Sequence, residues 1–278
     1  MTYDVLGAGA LNYTPCRYGN SRVLFRGPQR RLDAPFVAFL GGTETYGKFI
    51  KAPFPALVES SIGVNCVNFG IANAGVDVFL NEGALADAAR GSTANVLQIV
   101  GAQNLSNRFY TVHPRRNDRF VKASALLTSI YPEVDFSEFH FTRHMLGALY
   151  RTSPARFAVV RGELQFAWMA RMQLLLKRIG RETLLLWFAD HAPSEEQAHE
   201  VCPDMCSDPL FVTRKMIDEL RGHLAGYVEV TASKKALKAG TEGMVFSELE
   251  TPVARKLLGP TAHGEAAQAI SKALGHYL

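Results

Sequence analysis

Five short apolar runs punctuate the chain, at 36–40, 64–69, 95–100, 183–188 and 227–230. Each is nearly continuous rather than alternating, the pattern of a strand buried on both faces of a parallel sheet. Between them lie stretches of helical period. One follows Pro53 and Pro55 over 55–62, and others cover 78–90, 211–224 and 263–277. The longest opens at Pro154, where Phe157, Val160, Leu164, Trp168, Met172, Leu175 and Ile179 recur at spacings of three and four. Repeated strand–loop–helix units predict a flavodoxin-like α/β fold, a three-layer α/β/α sandwich with a five-stranded parallel sheet.

Residues 1–34 read as an irregular arm. Gly, Pro and Arg punctuate it, but Tyr3, Tyr13, Tyr18, Val23, Leu24 and Phe25 predict that it packs on the domain. Residues 35–278 form one domain, interrupted by an insertion at about 105–150. Its first part is the longest irregular stretch, rich in Arg and aromatic residues and including Asp118. Helical pieces are expected at 121–130 and 136–150.

In a parallel sheet the loops that leave the strands line one rim, where ligands gather. That topology brings together residues far apart in sequence. The first run ends in Gly-Gly-Thr-Glu-Thr-Tyr-Gly (41–47), placing Thr43 and Thr45 at the rim. The second ends at Gly70, the third in Gly101-Ala102-Gln103-Asn104, and the fourth in Asp190-His191. His263, at the start of the last helix, can join them.

These blocks resemble, in order and spacing, those of the SGNH (GDSL-type) hydrolases. Gly41, Thr45 and Gly47 match the first block, and Thr43 stands where that family keeps its nucleophilic serine. Gly70 resembles the second-block glycine, 101–104 the Gly-x-Asn-Asp block, and His263 the catalytic base. The resemblance implies acyl transfer on an ester of a small polar or carbohydrate substrate. Thr43 would attack, His263 would remove its proton, and Gly70 with Gln103 or Asn104 would hold the oxyanion. Gly42 departs from the family's first-block aspartate, and Pro260 from its third triad member. Asp190, Glu250 and Glu265 are the acids left to orient the imidazole, and His191 paired with Asp190 is an alternative base.

A basic cluster, His-Pro-Arg-Arg-Asn-Asp-Arg at 113–119, leaves the third strand on the same rim. Arg115 and Arg116, with Arg108 and Arg143, are candidate substrate-binding residues, since guanidinium forks grip carboxylate, phosphate or sulfate. They motivate a second reading, a binding protein or transferase for an anionic ligand. Loss of the serine and both aspartates motivates a third, a degenerate scaffold that binds without turnover.

Charge adds little: +4 over 278 residues does not indicate nucleic acid as a partner. No Walker pattern and no Gly-x-Gly-x-x-Gly opens a helix, so no nucleotide cofactor is expected. Cys202 and Cys206, with His199, Asp204, Asp208 or His191, offer a metal-like spacing, but free thiols are the expectation and no metal is assigned. No run approaches the roughly 18 apolar residues of a membrane span, and the N-terminus lacks a secretory pattern, so a cytoplasmic protein is expected. The sequence does not indicate an oligomeric state.

Overall fold

Alternation along the first apolar run sets the layers: Phe36, Ala38 and Leu40 enter one core, Val37 and Phe39 the other. A computed structural model gives the fold and describes residues 11–180, 182–195, 205, 207–275 and 277. In chain order it runs β1 (Phe36–Gly41), α1 (Thr43–Tyr46), α2 (Phe54–Ile62), β2 (Asn65–Gly70), α3 (Val76–Asn81), α4 (Gly83–Gly91) and β3 (Ala94–Gln98). An insertion follows, with β4 (Tyr110–His113), β5 (Arg116–Ala123), α5 (Ala125–Ile130) and α6 (Thr142–Thr152), and then the crossover helix α7 (Pro154–Ile179). The domain then closes with β6 (Thr183–Ala189), α8 (Arg214–Leu220), β7 (Gly226–Thr231), α9 (Lys234–Ala239), α10 (Thr251–Ala254) and α11 (Pro260–Leu274).

The five expected strands form one parallel sheet in the order β2-β1-β3-β6-β7. The chain moves outward from β1 to β2, then returns across β1 to β3. Crossovers of one hand therefore fall on opposite faces. Phe54 and Val58 of α2 share a core with Ala266 and Ile270 of α11, while α3, α4, α7 and α8 cover the other face. The reversal lies between β1 and β3, and the loops after β1, β2 and β3 surround it.

Three local expectations change. The first part of the insertion, expected to be irregular before its helical pieces, forms an antiparallel hairpin, β4–β5, whose second strand carries charges at solvent-facing positions. The helix expected over 78–90 is two helices, broken where Glu82 leaves helical geometry at φ −95°, ψ 93°. The final helix begins at Pro260 rather than His263, so His263 lies inside its first turn. In the arm, Tyr18 and Phe25 are buried against Phe69, and the Arg26 guanidinium donates to the carbonyls of Tyr46, Gly47, Ile50 and Lys51.

Asn117 ties the hairpin to the domain. Its side chain is buried; Oδ1 accepts from the N–H groups of Gly75 and Val78, both at 3.1 Å, and Nδ2 donates to the His113 carbonyl. It thus satisfies open donors at the start of α3, which has no side-chain cap of its own. Gly75 lets the loop after β3 approach as well, because a Cβ there would fall 1.5 Å from the Asn104 carbonyl oxygen.

Candidate active site

Gln98, the last residue of β3, organises the turn after β1. It is 6% exposed, and its Oε1 accepts from the Gly42 N–H (3.0 Å), the Thr45 N–H (3.2 Å) and the Thr45 hydroxyl (2.6 Å). Thr45, expected to face substrate, is therefore fully buried and holds the turn instead. Asn68 secures the other side: Nδ2 donates to the Thr45 carbonyl (2.7 Å), and Oδ1 accepts from the Gly70 N–H (2.8 Å). The Gly70 N–H, expected to face an oxyanion, is thus occupied. What Gly70 supplies is space, since a Cβ there would meet the Tyr46 nitrogen at 2.2 Å.

Thr43 begins α1 and is half-buried. Its hydroxyl oxygen accepts from the Asn73 N–H at 2.9 Å and lies 3.4 Å from Asn73 Oδ1, towards which it donates. Asn73 adopts φ 56°, the left-handed region that Asn tolerates better than most side chains. Its carbonyl accepts from Asn104 Nδ2 (3.1 Å), and its Nδ2 donates to Asp118 Oδ2 (3.3 Å). Thr142 closes the ring of contacts by donating to Asn104 Oδ1 at 2.6 Å. Asn104 is thus beside the Thr43 site, at one remove through Asn73. Burial pushes the Asp118 carboxyl above its usual range, against the pull of Arg119, the Asn73 amide and Arg116.

His263 is elsewhere. Its ring is 0% exposed, stacked on Phe54 and edge-on to Phe188. Nδ1 accepts from the Phe54 N–H at 3.1 Å, so the neutral ring carries its proton on Nε2. Nε2 faces Glu44 Oε2 at 3.7 Å. No hydrogen bond joins His263 to Thr43, because the first turn of α11 points this side chain into the α2 layer. The acids offered to orient it are also engaged: Glu265 accepts from the Ser233 N–H and hydroxyl, and Glu250 caps Ser247.

The remaining candidates form separate groups. His191 Nδ1 pairs with Asp190 Oδ1 at 2.6 Å, which holds the Asp190 carboxyl below its usual range. Gln103 donates to Asp208, and Arg143 binds Asp208 and the Met205 carbonyl. Arg108, a candidate substrate-binding residue, instead pairs with the buried carboxylate of Glu163 at 2.5 Å. Arg115 and Arg116 are exposed at the hairpin turn. Of the metal-like spacing, Cys202, Cys206, His199 and Asp204 lie outside the described residues, whereas Asp208 and His191 have the partners just given.

Residues 1–278 match the family described as a domain of unknown function, DUF6473. The chain belongs to that family. No curated protein matches it. Among solved structures it is similar to the lipase Lip_vut3 from a goat rumen metagenome, at TM-score 0.41 and 10% identity, over 86% of this chain and 97% of that one. It is also similar to a gut microbial diltiazem-metabolizing enzyme, at TM-score 0.42 and 13% identity, over 87% of this chain and 47% of that one. Likeness at this level does not bear on chemistry. Among the described residues, no helix is long and apolar enough to cross a membrane.

Sequence reasoning missed Asn73 and Asp118 as site residues. The only local signal for Asn73 is the Asn-Ala-Gly turn at 73–75. Asp118 reaches the rim through a hairpin whose charged strand hid it.

Proposed function

We propose that this protein transfers or hydrolyses the acyl group of a small polar ester, with the Thr43 hydroxyl as nucleophile. One observation carries the reading: the Thr43 oxygen lies 2.9 Å from the Asn73 N–H, at the sheet's point of reversal. A hydroxyl held in one place at the rim is the nucleophile that acyl transfer needs. The hydroxyl attacks the carbonyl carbon, and the Asn73 N–H fixes its oxygen. The order of the SGNH-like blocks supports the same reading. Asn73 beside the hydroxyl, with Asp118 and Asn104 bound to Asn73, gives the neighbourhood a polar character that suits an ester of a carbohydrate or similar hydroxyl-rich molecule.

The test is turnover of p-nitrophenyl acetate and of O-acetylated sugars by the full chain, and its loss in Thr43→Ala. Absence of turnover by the parent protein, or turnover that survives Thr43→Ala, contradicts the reading.

A second reading, a scaffold that binds a polar ligand without turning it over, is favoured by His263. A base whose Nδ1 accepts a backbone N–H and whose ring is sealed between two phenylalanines is not presented to Thr43. Under that reading neither acyl turnover nor acyl labelling of Thr43 occurs.

A further inference from the structure

If Thr43 attacks a carbonyl, its proton must go somewhere, and His263 is not in hydrogen-bonding contact with it. The Thr43 network does contain a carboxylate. Asn73 stands between the two groups with one end of its side-chain amide on each: Oδ1 is 3.4 Å from the Thr43 hydroxyl, and Nδ2 is 3.3 Å from Asp118 Oδ2. The hydroxyl and the carboxylate are therefore linked through one amide group and its two contacts, a gap that opens to water when the exposed amide turns aside.

We propose that the Asp118 carboxylate accepts the Thr43 proton, through water that takes the place of the Asn73 side-chain amide between them. This rests on the acyl-transfer reading above.

Three features favour the exchange. Asn73 is exposed, and both of its side-chain bonds here are long. Its backbone is held independently, N–H on Thr43 at 2.9 Å and carbonyl on Asn104 at 3.1 Å. The amide can therefore swing away while the N–H stays beside the hydroxyl. Asp118 is fixed on its own account, since the buried Asn117 anchors its strand and Thr142 Oγ1 approaches its carbonyl oxygen at 3.4 Å.

The surroundings suit a proton acceptor. Burial makes the carboxylate more basic than an exposed one. The charged groups acting on it are Arg119 and Arg116, both from β5. Arg119 lies over the Phe141 ring at 4.1 Å. The loop after β2 presents the neutral Asn73, and α6 the neutral Thr142.

Atoms and charge balance over two half-reactions. As Thr43 Oγ1 bonds to the acyl carbon, its proton passes through the water to Asp118. As the carbon–oxygen bond to the leaving alcohol breaks, Asp118 returns the proton to that oxygen. A second water then attacks the Thr43 ester and gives its proton to Asp118. The Thr43 oxygen leaves as the carboxylic acid forms, and recovers the proton.

The experiment measures kcat/KM for p-nitrophenyl acetate against pH, in the parent protein, Thr43→Ala, Asp118→Asn and Asp118→Gly, each checked for folding by circular dichroism. Asp118→Asn, which keeps size and polarity, is expected to lower kcat/KM about 10²–10⁴-fold. It should also remove the acid limb of the parent profile, which should lie above the titration of a free aspartate. Added formate should restore part of the turnover of Asp118→Gly, because a small carboxylate can enter the vacated space. The proposal is overturned if Thr43-dependent turnover persists in Asp118→Asn with an unchanged acid limb. That outcome leaves the acyl-transfer reading standing. No turnover in the parent protein, or turnover indifferent to Thr43→Ala, overturns both.

Discussion

The backbone N–H of Phe54 donates to Nδ1 of His263 at 3.1 Å, joining the first turns of α2 and α11 across 209 residues of sequence. Both side chains are fully buried and their rings stack, with centroids 5.7 Å apart. The imidazole is thus an acceptor for a helix-terminal N–H, one of the open donors that every helix start leaves. A histidine doing this is a structural residue.

His263→Leu is therefore expected to destabilise the protein without silencing it. Leucine fills much of the ring's volume but leaves the Phe54 N–H buried and unpaired, which costs about 1–3 kcal/mol. Urea denaturation should show that loss, while kcat/KM for a small acyl ester stays within about threefold, a barrier change of ~0.65 kcal/mol. Loss of turnover with unchanged stability would instead make His263 the base.

Thr43→Ser should raise turnover. The threonine methyl restricts χ1 and crowds the approach of a carbonyl carbon. Removing it keeps the hydroxyl and its Asn73 contact, so kcat/KM is expected to rise by up to about tenfold, ~1.4 kcal/mol off the barrier. A fall on this substitution, measured with the same ester, would indicate that the methyl contributes to positioning.

Asn117→Leu should loosen the hairpin. It removes the acceptor for the buried N–H groups of Gly75 and Val78. Leaving both unpaired costs about 2–6 kcal/mol, which chemical denaturation would register. Because Asp118 is the next residue, turnover should fall further than the fraction unfolded explains.

Asp118 also predicts a pH dependence of stability. Its folded pKa is raised by burial, so between the ordinary aspartate value and the folded value the native state binds more protons than the unfolded chain. Stability therefore falls as pH rises through that window, the opposite of the usual carboxylate contribution. Subtracting the Tm–pH curve of Asp118→Asn from that of the parent should isolate a downward step there. An upward step would mean the carboxyl is stabilised as the anion.

Much of the fold could be read from the chain because the central strands β1, β3 and β6 are buried on both faces, and such runs announce themselves. The hairpin could not, because Arg116, Asp118, Arg119 and Lys122 mask its strand character and the register shifts twice around Val112. Thr43 was readable at the rim, since a strand end followed by Gly-Gly-Thr places a hydroxyl there. Its partners were not. Asn73 and Asp118 meet across 45 residues through a hairpin held by Asn117. His263 illustrates a different failure. Similarity to a motif gives a residue's order along the chain, but beginning α11 at Pro260 rotates that side chain into the core.

The most direct test of Thr43 as nucleophile is intact-protein and peptide mass spectrometry after exposure to a fluorophosphonate. One phosphonyl group per chain is expected, on the peptide containing Thr43, absent in Thr43→Ala and strongly slowed in Asp118→Asn. No adduct, or an adduct that persists in Thr43→Ala, would contradict it.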